Sequence, residues 1–223
     1  MTKTIEDIKK EGIKENEIYC ADCLEVMKLM KDKSVDLVLT DPPYGMNYQS
    51  NHYVGKNPFE KIVGDNEYPV EVLKILFSKA KKGVFSFCRW NNLGDVPKPK
   101  SFIVWAKNNW SAGDLKREFG RMWEGILFYP QEEFEFNKRI PDVFFSSRVS
   151  PDKLVHPTEK PLDVMKWIII NTTKENEIIL DPFLGSGSTA VAAKQLHRRF
   201  IGIEISERYC QIAKQRLGQE VLF

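Results

Sequence analysis

Residues 177–189 read EIILDPFLGSGST, an apolar strand that runs through an acid and a proline into two glycines and the start of a helix. Residues 177–181 (EIILD) are expected to form a strand, as are 35–40 (VDLVLT), whose near-continuous apolar run is the pattern of a parallel strand buried on both faces. Gly185 and Gly187 let the backbone turn tightly and leave a ligand room against the main chain. Free N–H groups at the helix start then suit an anionic group. The next strand, 200–205 (FIGIEI), places Glu204 at its carboxyl tip, about 17 residues after Gly187. In nucleotide-binding α/β folds such an acid accepts hydrogen bonds from ribose hydroxyls. A packing turn plus a helix-capping glutamate is the plainer alternative. Position 190 is Ala, so this is not the dinucleotide fingerprint G-x-G-x-x-G.

Working outward, strand and helix patterns alternate. Strands are expected at 17–22, 35–40, 83–88, 101–106 and 124–129. Helices are expected at 23–32, 69–82, 161–173, 188–197 and 206–217, the third opening on Pro161 at a first-turn position. Such alternation predicts an α/β fold with a largely parallel sheet covered on both faces, in one domain spanning 1–223. Two stretches, 46–66 and 107–155, are too long for simple connections and are expected to be inserted functional loops.

The totals constrain partners weakly. With 223 residues the chain can bury a full core, and its net charge of +2 neither requires nor excludes a nucleic-acid partner. Cys20 and Cys23 form a lone C-x-x-C without the second pair a metal site needs, and Cys88 and Cys210 stand singly. Buried reduced thiols, no metal and a cytoplasmic setting are expected. No apolar run approaches the ~20 residues of a membrane span, and the amino terminus lacks a signal-peptide core. The terminal GQEVLF resembles part of a protease-cleavage sequence and is not expected to contribute to the fold.

A second stretch has its own logic. The strand VDLVLT (35–40) leaves through Asp41-Pro42-Pro43-Tyr44-Gly45. Two prolines fix two φ angles and remove two donors, so the turn neither continues the strand nor opens a helix. The pairing of D-P-F-x-G-S-G-S-T with G-I-E-I resembles the S-adenosylmethionine site of amino-methyltransferases. D-P-P-Y resembles their other signature. The segment 155–161 (VHPTEKP) resembles the H-P-T-x-K-P that precedes the cofactor strand in the same proteins. The lead-in ADCLEVMKLMKDKSVDLVLTDPPY matches as well. Together these resemble the N6-adenine/N4-cytosine DNA methyltransferases, in the permuted order that puts the catalytic motif before the cofactor motif, over roughly residues 17–217.

The resemblance implies a Rossmann-like methyltransferase fold, S-adenosylmethionine as cofactor and double-stranded DNA as partner. It implies that the Asp41 carboxylate and Pro42 carbonyl accept hydrogen bonds from an exocyclic amine, with Pro43 holding the turn and Tyr44 stacking on a flipped base. Asp181, Phe183, Gly185, Ser186, Gly187, Ser188 and Thr189 would line the methionine end, Glu204 the ribose and Asp22 the adenine edge. Thr158 and Lys160 would hold the methionine carboxylate. DNA contacts are expected from the two long loops, where cations mix with aromatics: His52, Tyr53 and Lys56 in the first, and Lys107, Trp110, Lys116, Arg117 and Arg121 in the second. A short target sequence, or a homodimer in which a second subunit helps, would fit so small a recognition region.

Asp at position 41 favours adenine N6, because S-P-P-Y more often accompanies N4-cytosine in this group. N4-cytosine and RNA base amines stand as alternatives. Protein glutamine methylation would suit N-P-P-Y placed after the cofactor motif, and a non-catalytic relic would not keep acid, prolines, aromatic and glycines intact. Cytosine C5 chemistry needs a cysteine, usually after a proline, and none of the four cysteines follows one.

Overall fold

The computed structural model describes residues 3–47, 53, 54, 57, 58, 64–109, 116, 117, 119–136, 138–149 and 159–219. In chain order the elements are α1 (Ile5–Glu11), β1 (Glu17–Cys20), α2 (Cys23–Leu29), β2 (Val35–Thr40), β3 (Tyr53–Val54), β4 (Asn57–Pro58), α3 (Val70–Lys79) and β5 (Ala80–Cys88). A 3₁₀ turn (Trp90–Gly94) follows, then β6 (Ser101–Ala106), β7 (Trp123–Pro130), β8 (Val143–Phe145) and α4 (Leu162–Thr172). The chain continues through β9 (Ile178–Asp181), α5 (Ser188–Gln195), β10 (Arg199–Glu204) and α6 (Glu207–Gln219).

Eight strands form one sheet in the order β1-β10-β9-β2-β5-β7-β6-β8, while β3 and β4 pair separately. The first five strands run parallel, and β7 is antiparallel to both its neighbours. This is the expected α/β architecture. Strand alternation sends side chains to two cores. Leu37, Leu39, Phe85, Phe87 and Ile179 meet Val164 and Ile168 of α4 and the alanines of α5 on one face. Val38, Val84, Leu180 and Ile203 meet Val26 of α2 and Leu73 and Leu76 of α3 on the other.

Four differences from the expected elements stand out. The helix expected to 82 stops at Lys79, and β5 starts at Ala80, which pairs with Val35 of β2. Lys81 and Lys82 look helical in sequence, yet Lys81 pairs with Asp36 at 3.0 Å and Lys82 with Glu177. Asp36 lies on β2, which pairs with β5, and Glu177 just precedes β9, so both charges are satisfied once β5 takes its place in the sheet. Helix α1 was not expected; Thr4 and Asp7 form a reciprocal cap at its start, and Ile8 is its buried anchor. The segment 107–155 is only partly insertion, because it supplies β7 between β5 and β6, and the edge strand β8. Helix α6 also extends through Gly218 and Gln219 of the terminal stretch.

The carboxyl ends of β1, β10, β9, β2 and β5 all open at the same edge. That edge is where ligands bind in open parallel sheets.

Candidate active site

Strand β2 delivers Asp41 to that edge beside β9, which delivers Asp181. The turn after β2 is tied down by four hydrogen bonds to Asp65 and Asn92. Asp65 is buried and its Oδ1 accepts from the Gly45 and Met46 N–H groups at 2.8 and 3.1 Å. The Asn47 N–H donates to the Asp65 carbonyl at 2.6 Å. Asn92, in the 3₁₀ turn after β5, donates from Nδ2 to the Tyr44 carbonyl at 3.2 Å. Inside the turn the Tyr44 hydroxyl donates to Asp41 Oδ1 at 2.5 Å. Burial, with Asp41 beside it, holds that phenol well above its ordinary range, so it stays a donor.

Gly45 has φ +74°, and an added Cβ would lie 2.8 Å from the Glu67 Cα. Gly45→Ala therefore forces the turn to move against backbone. The expected result is a loss of about 1–3 kcal/mol of stability, and at least a tenfold fall in turnover at saturating substrate. Chemical denaturation beside a rate assay checks both.

The second loop follows β9. Asp181 is buried, and its two oxygens accept from the hydroxyls of Thr40 (2.7 Å) and Thr189 (2.6 Å). The Phe183 N–H adds a third bond at 3.1 Å. Thr40 thus joins the two loops through Asp181. Burial outweighs the three donors and raises the Asp181 carboxyl to about 7. A raised acid favours the protonated folded state. That stability is present below the unfolded pKa near 4 and is lost as pH rises through about 7. Asp181→Asn removes the titration. Its stability relative to wild type should climb by on the order of 2–4 kcal/mol between pH 4 and pH 8. Urea denaturation at a series of pH values reads the difference; parallel curves for the two proteins would contradict it.

Gly185 and Gly187 adopt φ +54° and +91°, and a Cβ on Gly187 would sit 2.8 Å from the Ala213 Cβ of α6. Close packing on α6, as well as the turn, demands glycine there. Arg216 of α6 clamps the loop, donating from Nη1 to the Ser186 carbonyl and hydroxyl, both at 2.8 Å, while its Nη2 meets Glu159 at 2.8 Å. Glu204, at the tip of β10, accepts from the Gly185 N–H at 2.7 Å and the Ser206 N–H at 2.8 Å. Asp22, after β1, caps α2 by accepting from the Leu24 and Glu25 N–H groups.

One cavity of about 730 Å³ joins these parts. Asp41, Pro42, Pro43 and Tyr44 line one end, and Asp22, Phe183, Gly185, Ser186, Ser188 and Glu204 the other. Of the expected cations, Arg121 lines this cavity and Lys116 and Arg117 are exposed. Lys107 was expected to meet DNA phosphate at the surface. It is buried instead, ion-paired with Glu124 of β7. Lys160 was expected at the methionine carboxylate, but its ammonium donates to Asp41 Oδ2 at 2.5 Å. Two carboxylates, Asp41 and Glu124, overcome burial and raise its pKa. His52, Lys56, Trp110 and Thr158 lie outside the described residues, as does the side chain of Tyr53.

Reading motifs alone misses Asp65, Asn92, Glu124 and Arg216. None stands in a motif; each becomes visible only when the fold brings it to the loops.

Residues 35–215 match the model of the N6/N4 methyltransferase family, described as DNA methylase. The chain belongs to this family of DNA methylases. The type II methyltransferase M2.LlaDCHI of Lactococcus lactis subsp. cremoris is 31% identical, over 92% of this chain and 91% of its own length. M2.DpnII of Streptococcus pneumoniae is 30% identical, over 90% and 88%. Among solved structures of DNA methylases and their relatives, the M1.HpyAVI–SAM complex superposes with a TM-score of 0.67 at 31% identity. The match covers 89% of this chain and 98% of that one. The cytosine-N4-specific PvuII DNA methyltransferase superposes with a TM-score of 0.69 at 15% identity, over 93% and 88%, a likeness of fold alone. In this DNA methylase, then, the family match includes both loops that meet at the cavity.

Proposed function

We propose that this protein transfers the methyl group of S-adenosylmethionine to the N6 amine of adenine in double-stranded DNA. The observation that carries the reading is the single cavity shared by the turn after β2 and the glycine loop after β9. A cofactor held by one loop and an amine held by the other would face each other within it.

The residues present fit such a cofactor. The Ser188 hydroxyl is buried at the start of α5, lines the cavity and has no hydrogen-bond partner among the described residues. Beside the glycine turn it suits a carboxylate. At the far end Glu204 and Asp22 offer carboxylates to ribose and to an adenine edge. Bound there, S-adenosylmethionine supplies an electrophilic methyl group on a cationic sulfur.

The chain's own groups handle the amine. An aromatic exocyclic amine is a poor nucleophile because its lone pair is delocalised into the ring. Asp41 and the Pro42 carbonyl accept hydrogen bonds from its N–H groups, so the nitrogen can pyramidalise as it attacks. Proline brings no competing N–H to this site. The Asp41 side chain is only 15% exposed, so a base stacked in a duplex cannot reach it. The base must be flipped out, and Tyr44 provides a face to receive it. Aspartate rather than serine before P-P-Y supports adenine over cytosine, by resemblance to the family.

DNA would lie across the cavity mouth. Changing Lys116 and Arg117 together to Ala should weaken binding to all duplexes about equally. It should also flatten the slope of log affinity against log salt by roughly 0.9 for each phosphate that the pair neutralises in wild type. An affinity change confined to one DNA sequence would mean the pair reads bases. The test of the function itself is transfer from methyl-labelled S-adenosylmethionine, offered duplex DNA and single-stranded RNA in parallel. Label in duplex DNA supports the reading; label in RNA alone, or in neither, overturns it.

A further inference from the structure

Two buried lysines and two carboxylates form one chain that ends on the turn after β2. Lys107, just past β6, pairs with Glu124 on β7. Glu124 Oε2 lies 3.2 Å from Lys160 Nζ, which donates to Asp41 Oδ2 at 2.5 Å. The side chains of Lys107 and Lys160 are 6% and 5% exposed. The Lys160 ammonium also lies 5.4 Å from the centroid of the Tyr44 ring and 5.1 Å from that of Phe87. Stability alone does not account for the arrangement, because apolar side chains of similar volume usually serve a core as well as buried ion pairs do.

The charges suit the reaction. As the N–C bond forms, positive charge moves onto the amine nitrogen beside Asp41. A lysine bound to Asp41 fixes the carboxylate's orientation but cancels its field. A second carboxylate on the same lysine restores that field. We propose that Lys160, Glu124 and Lys107 are positioning residues for Asp41: Lys160 aims the carboxylate, and Glu124, anchored by Lys107, offsets the lysine's charge. This rests on the reading of Asp41 as acceptor of the amine.

The electrostatics run the same way. Burial raises the Asp41 carboxyl, Lys160 pulls it down and Glu124 pushes it up. Glu124 itself is held at about 2, because Lys160 and Lys107 together outweigh its burial.

The test is a ¹³C NMR titration of the Asp41 carboxyl carbon in wild type, Lys160→Met and Glu124→Gln, with pH profiles of kcat. Lys160→Met should raise the Asp41 pKa by about 1–3 units, and Glu124→Gln should lower it. The acid limb of kcat should move in the same opposite directions. Each variant should lose about 10–100-fold in kcat while S-adenosylmethionine Kd stays within about threefold. Lys107→Met, which spares both ion pairs of Lys160, should raise the Asp41 pKa by less, and it replaces Lys160→Met if that variant does not fold. Unmoved titrations in folded variants, or shifts of the same sign in Lys160→Met and Glu124→Gln, overturn the proposal. Rate losses that merely track a lower melting temperature do so too. If wild type methylates no nucleic acid, the functional reading fails, while the NMR titration still decides the roles of Lys160 and Glu124.

Discussion

Asp41→Ala is expected to lower kcat for methyl transfer several-hundred-fold or more, while S-adenosylmethionine affinity stays within several-fold. The reason is where the carboxylate acts. In the proposed reaction it meets the amine as positive charge develops there, so its loss would fall on the transition state rather than on cofactor binding. Preorganised acceptors and donors in dry sites typically contribute about 10²–10³ in rate. Two changes follow in the same variant. The Tyr44 hydroxyl loses its 2.5 Å acceptor, and among the described residues the buried Lys160 ammonium keeps Glu124 alone as counterion. Single-turnover kinetics beside calorimetry separates the two readouts. Near-normal turnover would remove Asp41 from the chemistry, and a parallel collapse of cofactor affinity would mark it as structural.

Glu204→Ala is expected to weaken S-adenosylmethionine binding by about 1.5–3 kcal/mol, roughly 10- to 150-fold in Kd. Two causes act together. In the proposed site, a charged acceptor for ribose hydroxyls would be lost at the strand tip. The Gly185 N–H, now held at 2.7 Å, also loses its acceptor, which frees the turn that would carry the methionine end. Calorimetry reads the first cause, and the kcat at saturating cofactor reads how far the second matters. An unchanged Kd would take Glu204 out of the cofactor site.

The residues differ in how openly the sequence declares them. Strands β2, β9 and β10 announce themselves as apolar runs, and the glycines at 185 and 187 mark a turn that φ values of +54° and +91° now explain. Motif chemistry located both ends of the cavity because each end is a contiguous loop. Partners that lie far along the chain left no such mark. Asp65 stands in Gly64-Asp65-Asn66, which reads as an ordinary polar turn, yet its carboxylate holds the turn after β2. Lys107 follows an aromatic strand and precedes a polar loop, the pattern of a surface cation. Only the pairing of β6 with β7, which sets Ala106 opposite Trp123, brings it to Glu124. Lys160 is a lone lysine in sequence, and its contact with Asp41 spans 119 positions. Helical propensity points the wrong way at Lys81 and Lys82, where Asp36 on β2 and Glu177 ahead of β9 take up their charges.

The most direct measurement is nucleoside mass spectrometry of duplex DNA incubated with the purified protein and S-adenosylmethionine. N6-methyladenine that appears with wild type and is lost with Asp41→Ala is the predicted result. N4-methylcytosine in its place would contradict the assignment of adenine, and unmodified DNA of every sequence offered would contradict the transfer itself.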